Sequence, residues 1–294
     1  MSSKTRGLGA SESVHRTGIQ QLVQRFARNQ LAVVGFILVL AISLAAVFAP
    51  VLAPHDPLDQ NLPLKRSLPG QHFVLGADEF GRDILSRLLF GGRSALLVGV
   101  LSFAVAASIG LVLGMVSGVA AGIVDDVIMR LNDIVLAFPY LLLALLIVTA
   151  LGPSVLSTTI AVGLWGAPSF VRLVRAEVIA LRNREFIEAA RAVGARSSAI
   201  MVRHLLPNFA GSLITFGTLF MARAILVEAA LSFLGLGVQP PTPSWGLMVS
   251  SGRDFLRVAP HISTLPGIAI MLAVLGFNLL GDGLRDALDP KLRN

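Results

Sequence analysis

Few side chains in this 294-residue sequence could carry chemistry, and their placement excludes most of what they could do. The five histidines are His15, His55, His72, His204 and His261. None lies centrally in an apolar run, and none has metal-ligand spacing to another histidine or a carboxylate. There is no cysteine, so thiolate metal sites, cysteine nucleophiles and disulfides are all excluded. No G-x-x-x-x-G-K-[ST] loop occurs, so a phosphate cradle of that kind is missing. An enzyme working among apolar helices would need a serine or carboxylate beside a histidine or partner acid, and no such pair has candidate members. What remains is Arg223 and Glu228, two charges at the end of an otherwise apolar run. A charge at the centre of a membrane span costs about 2.5–3.5 kcal/mol on insertion scales, so both are expected to face protein or water. They are either packing residues or the lining of a path near an outer gate. Five residues of separation put them about 140° apart on an ideal helix, so each needs a partner elsewhere.

The second constellation lies in the basic loop 174–207. Phe186, Ile187, Ala190 and Val193 are spaced for one helix face, with Arg182, Arg184, Glu188 and Arg191 around them. Gly194 stands where a residue of positive φ would end such a helix, and Pro207 falls at a favourable first-turn position for the next one. The pattern predicts a helix, a sharp turn, a second short helix and then a span. A helix lying on anionic lipid would have the same composition. Ala189 and Ala190 are small enough for close docking, and Glu188 and Arg191 can form charge-assisted hydrogen bonds to a partner.

The elements that must hold these residues are membrane helices. The chain is 54% hydrophobic and 14% charged, with a mean hydropathy of +0.77, where soluble domains carry roughly 25% charged residues. Six per cent aromatics and 28 glycines favour closely packed helices over a β-barrel with aromatic girdles. The net charge of +7 is spread between apolar runs, as in positive-inside loops, and forms no stripe for nucleic acid.

Six runs are long enough to span a bilayer: Leu31 to Leu52, Ser94 to Gly118, Asp133 to Leu151, Ser154 to Leu173, Asn208 to Leu226 and Leu265 to Leu280. Gly152-Pro153 divides the third from the fourth. Gly110, Gly114, Gly118 and Gly122 share a helix face and predict close packing, with the lining of a path through the bundle as the alternative. An even count puts both termini on one side, and the segments then inside hold 16 of the 24 Lys and Arg. Lys65, Arg66, Arg82, Arg87 and Arg93 run against that rule in the outside stretch 53–93. The leader with Lys4, Arg6, Arg16, Arg25 and Arg28 is too long for a cleaved signal, so the first helix is expected to stay and the N-terminus to be cytoplasmic. Outside, Asp78 is the expected N-cap of a surface helix carrying Ile84, Leu85, Leu88 and Leu89. Trp245, after Gln239-Pro240-Pro241, is the expected interfacial anchor.

Glu188-Ala189-Ala190, three residues, Gly194, nine residues, then His204-Leu205-Leu206-Pro207 resembles the EAA loop of binding-protein-dependent ABC importer permeases, with His204 where isoleucine is common. Gly76-Ala77-Asp78-Glu79-Phe80-Gly81-Arg82-Asp83 followed by Ser86-Arg87 is similar to the N-terminal motif of the dipeptide, oligopeptide and nickel subfamily, with Ala77 where threonine is usual. Leu231 to Gly237, Gln239-Pro240-Pro241, and the tail from Gly281 to Pro290 look like further markers of its second, "C" type permease.

The resemblance implies an all-α membrane protein of about six transmembrane helices, the MetI-like importer permease fold, with a cytoplasmic coupling helix. It implies a cytoplasmic segment 1–29, a first helix and extracytoplasmic segment 30–93, and a transmembrane domain 94–294. Glu188, Ala189, Ala190, Arg191, Gly194, His204, Leu206 and Pro207 would form the ATPase-coupling region. Asp78, Gly81, Arg82, Asp83 and Arg87 would form the extracytoplasmic motif, and Pro240, Pro241 and Trp245 would meet a solute-binding protein. The implied partners are a homologous second permease, two ATP-binding subunits that carry the ATP and Mg, an extracytoplasmic binding protein and membrane lipid. The implied role is non-enzymatic import of peptides across the bacterial inner membrane. Nickel, glutathione or another small solute is the alternative cargo. An ion-coupled secondary transporter is the rival class, but no inverted repeat is visible.

Overall fold

The computed structural model describes Gln24, residues 26–120 and residues 122–288. The leader residues Lys4, Arg6, His15, Arg16 and Arg25, and Asp289 and Pro290 of the tail motif, lie outside the described residues. Helix α1, Gln30–Val47, begins where the Asn29 side chain accepts from the amides of Leu31 and Ala32 at 3.1 and 3.2 Å. It breaks at Phe48, and the single turn α2, Ala49–Leu52, restarts with Pro50 in its first turn, where the missing N–H costs nothing.

Helix α3, Ile84–Ala120, is one element of 37 residues, about 55 Å long at 1.5 Å per residue. The separate surface helix expected at Ile84 to Leu89 is therefore the first turns of the second span, and the expected boundary at 93/94 falls inside a continuous helix. Asp78 does not cap it. Asp83 does: its Oδ2 accepts from the amide and the hydroxyl of Ser86 at 2.9 and 2.6 Å.

The expected third span, Asp133 to Leu151, is not one helix. It divides into α4, Gly122–Ala137, and α5, Tyr140–Leu151, bent by 91°. Pro139 has no amide to continue the ladder and disfavours the helical conformation at Phe138. The turn at Gly152-Pro153 forms as expected, with Gly152 at φ +82° and Ser154 accepting from the Ser157 amide at 3.0 Å to cap α6, Val155–Leu181.

Beyond α6 come α7, Glu185–Ala192, and the short α8, Ser197–Ile200. A π-helical turn over Met201–Leu205 leads without a break into α9, Leu206–Phe233. Pro207 stands in the first turn of α9 and donates no hydrogen bond, and the preceding turn widens until the Leu206 amide reaches the Met201 carbonyl. Helix α10, Trp245–Gly252, and helix α11, His261–Leu288, complete the chain.

The glycine stripe packs α3 against α6. A Cβ on Gly114 would stand 2.7 Å from that of Val174, and one on Gly118 2.7 Å from that of Val178, while Gly110 lies against Phe170. Both series advance by four residues, so α3 and α6 run parallel in close contact along about two turns. Gly122 is not in this stripe; it has φ +60° and open space around it, and starts α4 in a new direction. Because α3 and α6 are parallel, α4 and α5 together carry the chain back along the bundle.

Helices α1 and α11 run antiparallel, Gly35 beside Leu279 and Leu280 and Gly283 beside Ala32. Asn29 Nδ2 donates to Asp286 Oδ2 at 3.2 Å, so both described ends of the chain meet at one end of the bundle, the terminal end. Among the described residues, four helical stretches are long and apolar enough to cross a membrane alone: Gln30–Val47, Ile84–Ala120, Ser197–Phe233 and His261–Leu288. The bent pair α4 and α5 makes a fifth. Helix α6 is 27 residues long but is diluted by Ser157, Thr158, Thr159, Gly163, Gly166 and Pro168, all buried against neighbouring helices.

Candidate functional site

At the terminal end, α7 packs its Ile187 and Ala190 into a cluster with Val174 and Val178 of α6 and Leu205 and Phe209 at the start of α9. Glu188, Ala189 and Arg191 face outward. The apolar face expected from periodicity is thus split: Ile187 and Ala190 are buried, whereas Phe186 is 41% and Val193 84% exposed. The Ala195 amide donates to the Ala190 carbonyl at 3.0 Å and the Gly194 amide to the Arg191 carbonyl at 2.9 Å, the paired bonds of a Schellman stop. Gly194 sits at φ +83°, which a branched residue there would resist. His204 and Leu206 are half-buried around the π turn, Pro207 is exposed, and Asn208 Nδ2 donates to the His204 carbonyl at 2.6 Å. Helix α7 is therefore a short, firmly seated helix with an outward face of mixed charge, small residues and two large apolar side chains.

At the far end, the acidic and basic residues between Asp78 and Arg87 tie one loop together. Asp78 is 3% exposed; its Oδ1 accepts from the amides of Phe80 and Arg82 at 2.9 and 3.0 Å, and its Oδ2 from Arg82 Nε at 2.6 Å. Arg87 Nε lies 3.3 Å from the same oxygen, and Arg87 Nη1 donates to the Pro57 carbonyl at 3.0 Å. Gly81, at φ +77°, presses on the backbone of Asn61, a contact no side chain would permit. Arg82 also pairs with Glu79 at 3.2 Å; burial and then the neighbouring Asp78 push the Glu79 carboxyl up. The role of this network is to fold the segment before α3 onto itself.

Glu228 is fully buried, and its Oε1 accepts from the hydroxyls of Ser232 at 2.7 Å and Ser244 at 3.0 Å. It lines no open surface in this conformation; it fastens α9 to the segment entering α10. Trp245 is 4% exposed, packs on Gly91 and Gly92, and donates Nε1–H to the Leu88 carbonyl at 2.9 Å. It is an internal strut rather than the expected interfacial anchor, and of the three docking candidates only Pro240 and Pro241 are exposed. Arg223 is exposed and has no hydrogen-bond, ion-pair or ring partner among the described residues. As expected, it does not pair with Glu228.

Sequence reasoning missed the ties that hold α4. Asp125 makes two 2.6 Å hydrogen bonds with Arg175, Asp133 one of 2.6 Å with Arg172, and Asn132 Nδ2 donates to the Pro168 carbonyl at 3.3 Å. Asn132 is the one buried residue of α4, so polar contacts hold this helix where apolar packing holds the others. The signal in sequence was the i, i+8 pair of aspartates facing Arg172 and Arg175, and it needed the α4–α6 pairing to be read.

Residues 110–294 match the family described as the binding-protein-dependent transport system inner membrane component, and residues 18–69 match the N-terminal TM domain of oligopeptide transport permease C. The chain is 46% identical to the di/tripeptide transport system permease protein DppC of Pseudomonas aeruginosa, over 96% of this chain and 95% of that protein. It is 44% identical to the dipeptide transport system permease protein DppC of Alkalihalophilus pseudofirmus, over 94% and 90%. It is 43% identical to the glutathione transport system permease protein GsiD of Escherichia coli, over 95% and 92%. With a match over most of its length and a helical bundle of the expected kind, the chain belongs to the inner membrane component family of binding-protein-dependent transport systems.

Proposed function

We propose that this chain is the C-type permease of an ATP-driven importer for small peptides, paired with a homologous permease around a shared path. It crosses the inner membrane six times, as α1, α3, the broken pair α4 and α5, α6, α9 and α11, with both termini cytoplasmic. Two ATPase subunits bearing ATP and Mg dock at the terminal end, and a solute-binding protein docks at the far end, where Pro240 and Pro241 are exposed. Residues 30–83 form the first helix and an extracytoplasmic segment folded by Asp78, Gly81, Arg82 and Asp83, with Arg87 reaching it from the first turn of α3. The chain performs no covalent chemistry.

The observation that carries this reading is the outward face of α7 with Glu188, Ala189 and Arg191, set on a rigid helix and closed by Gly194. A helix so seated can pass a movement of the ATPase to the bundle as a rigid body. ATP binding would then favour one arrangement of the two permeases over the other. Peptide cargo is supported by the two dipeptide permeases at 46% and 44% identity, and glutathione, itself a tripeptide, by the third relative at 43%. The test is ATP-dependent uptake in proteoliposomes containing both permeases, the ATPases and the binding protein, with labelled dipeptide and labelled glutathione in competition. Dipeptide uptake that unlabelled glutathione does not displace is the expected result. Preference for glutathione moves the cargo to the second reading, and no ATP-dependent uptake of either solute rejects peptide import.

A further inference from the structure

We infer that Arg223 is the carboxylate-recognising residue of the solute path, a cation that meets the C-terminal carboxylate of the incoming peptide in the outer half of the bundle. This rests on the peptide-import reading and adds to it a residue and a chemistry. Arg223 lies 17 residues past Leu206 and 10 short of Phe233, about 25 Å and 15 Å from the two ends of α9. At that depth lipid is the costliest neighbour for a guanidinium, yet the side chain is exposed and unpartnered among the described residues.

That side of α9 mixes polar and apolar residues. Asn208 and Ser212 are exposed on the same side of α9 nearer the terminal end, with the partly buried Phe216 and Leu219 between them and Arg223, while Ala222, Ala224 and Ile225 beside Arg223 are buried against other helices. An exposed, unpartnered cation at this depth suits a water-filled path. Elsewhere the chain satisfies its own membrane arginines: Arg172 has Asp133 and Arg175 has Asp125. The carboxylate nearest in sequence, Glu228, is turned away and engaged by Ser232 and Ser244, so it cannot neutralise Arg223.

One turn toward the terminal end, Phe220 stacks on Trp165 with ring centroids 6.1 Å apart, and Trp165 lies 5.4 Å from Tyr140. These rings set an apolar neighbourhood just below the cation. A guanidinium grips a carboxylate through two parallel N–H bonds, and every unmodified peptide presents that group whatever its side chains. One such residue therefore serves cargo of varied sequence.

The test uses the absence of cysteine in this chain. Arg223→Cys is introduced into the reconstituted importer, and dipeptide uptake is measured before and after a cationic aminoethyl thiosulfonate or an anionic sulfonatoethyl thiosulfonate. The unsubstituted complex serves as control for reactive cysteines in partner subunits. We expect R223C to lower uptake about tenfold or more, the scale of one charge-assisted hydrogen bond, with the assembled complex at its usual level. The cationic reagent should restore part of the uptake and the anionic one none, and Arg223→Lys should hold an intermediate level, since an ammonium keeps the charge but loses the second parallel bond. Failure of the complex to assemble, or failure of the reagents to reach position 223, would mean that Arg223 pairs with an acid of the second permease. Equal rescue by both reagents, or unchanged uptake in R223C, would also overturn the proposal. An unsubstituted importer that moves no peptide would instead reject peptide import itself, which is how the two failures are told apart.

Discussion

At the residue scale, the charges among the described residues divide into those that fasten the fold and those that stay exposed, Glu188, Arg191 and Arg223 among the latter. Asp125, Asp133 and Glu228 join separate elements, Asp78 closes the loop before α3, and Asp83 caps α3 through Ser86. Glu228 shows how position changes meaning. Read from the sequence it was a candidate gate; buried and held by Ser232 and Ser244, it is a tie between α9 and the segment before α10. Glu228→Gln keeps a carbonyl oxygen that both hydroxyls can reach, so uptake and the amount of assembled complex should fall by the same small factor. Uptake and complex measured in parallel decide this, and uptake falling well beyond complex would return Glu228 to the gate. The Glu228–Ser244 contact was out of reach for sequence reading because helix geometry predicts neighbours at three and four residues, not across a chain reversal. The Trp245 bond to Leu88, 157 residues away, was hidden for the same reason.

At the element scale, features set by local chemistry were legible and features set by long-range packing were not. Gly152-Pro153 and Gly194 end helices through their own backbone preferences, and Gly110, Gly114 and Gly118 announce a close helix contact by their spacing. The outward face of α7 was only half legible: the spacing showed one apolar stripe, but Ile187 and Ala190 alone fill the cluster with α6 and α9, leaving Phe186 and Val193 outside. Inside long apolar runs the pattern carries little information, so the 91° bend between α4 and α5 was missed despite Pro139. In the same way, the start of α3 merged with its span. The continuous stretch from Ser197 to Phe233 makes a firm demand on topology, since about 55 Å of helix must carry the chain from one face of the membrane to the other. Ser197→Cys and Thr242→Cys, both at exposed positions, should react with an impermeant maleimide from opposite sides. Labelling of both from one side in sealed vesicles would remove this crossing and, with it, the six-span topology. Ser244, though closer to α10, is a poor probe because it is fully buried.

At the scale of the whole molecule, the bundle is held unevenly. Helices α3, α6 and α9 share a core of Ala106, Val162, Phe170, Phe220 and their neighbours, whereas α4 is fixed through Asp125, Asn132 and Asp133 and leaves Ile123, Leu131 and Ile134 exposed. An exposed apolar face of this kind on a membrane helix suits contact with lipid or with another subunit. On the proposed reading, this asymmetry sets a wall of α3, α6 and α9 bearing Arg223, with α7 seated at the terminal end as the contact for an ATPase. The most direct measurement of the coupling claim is site-specific photocrosslinking in the assembled importer, again from single cysteines in a chain that has none. A benzophenone maleimide placed by Ala189→Cys should form an adduct with an ATPase subunit, and one placed by Thr242→Cys at the far end should not. No ATPase adduct from position 189, or one of equal yield from position 242, would contradict the assignment of α7 as the helix through which ATP drives this permease.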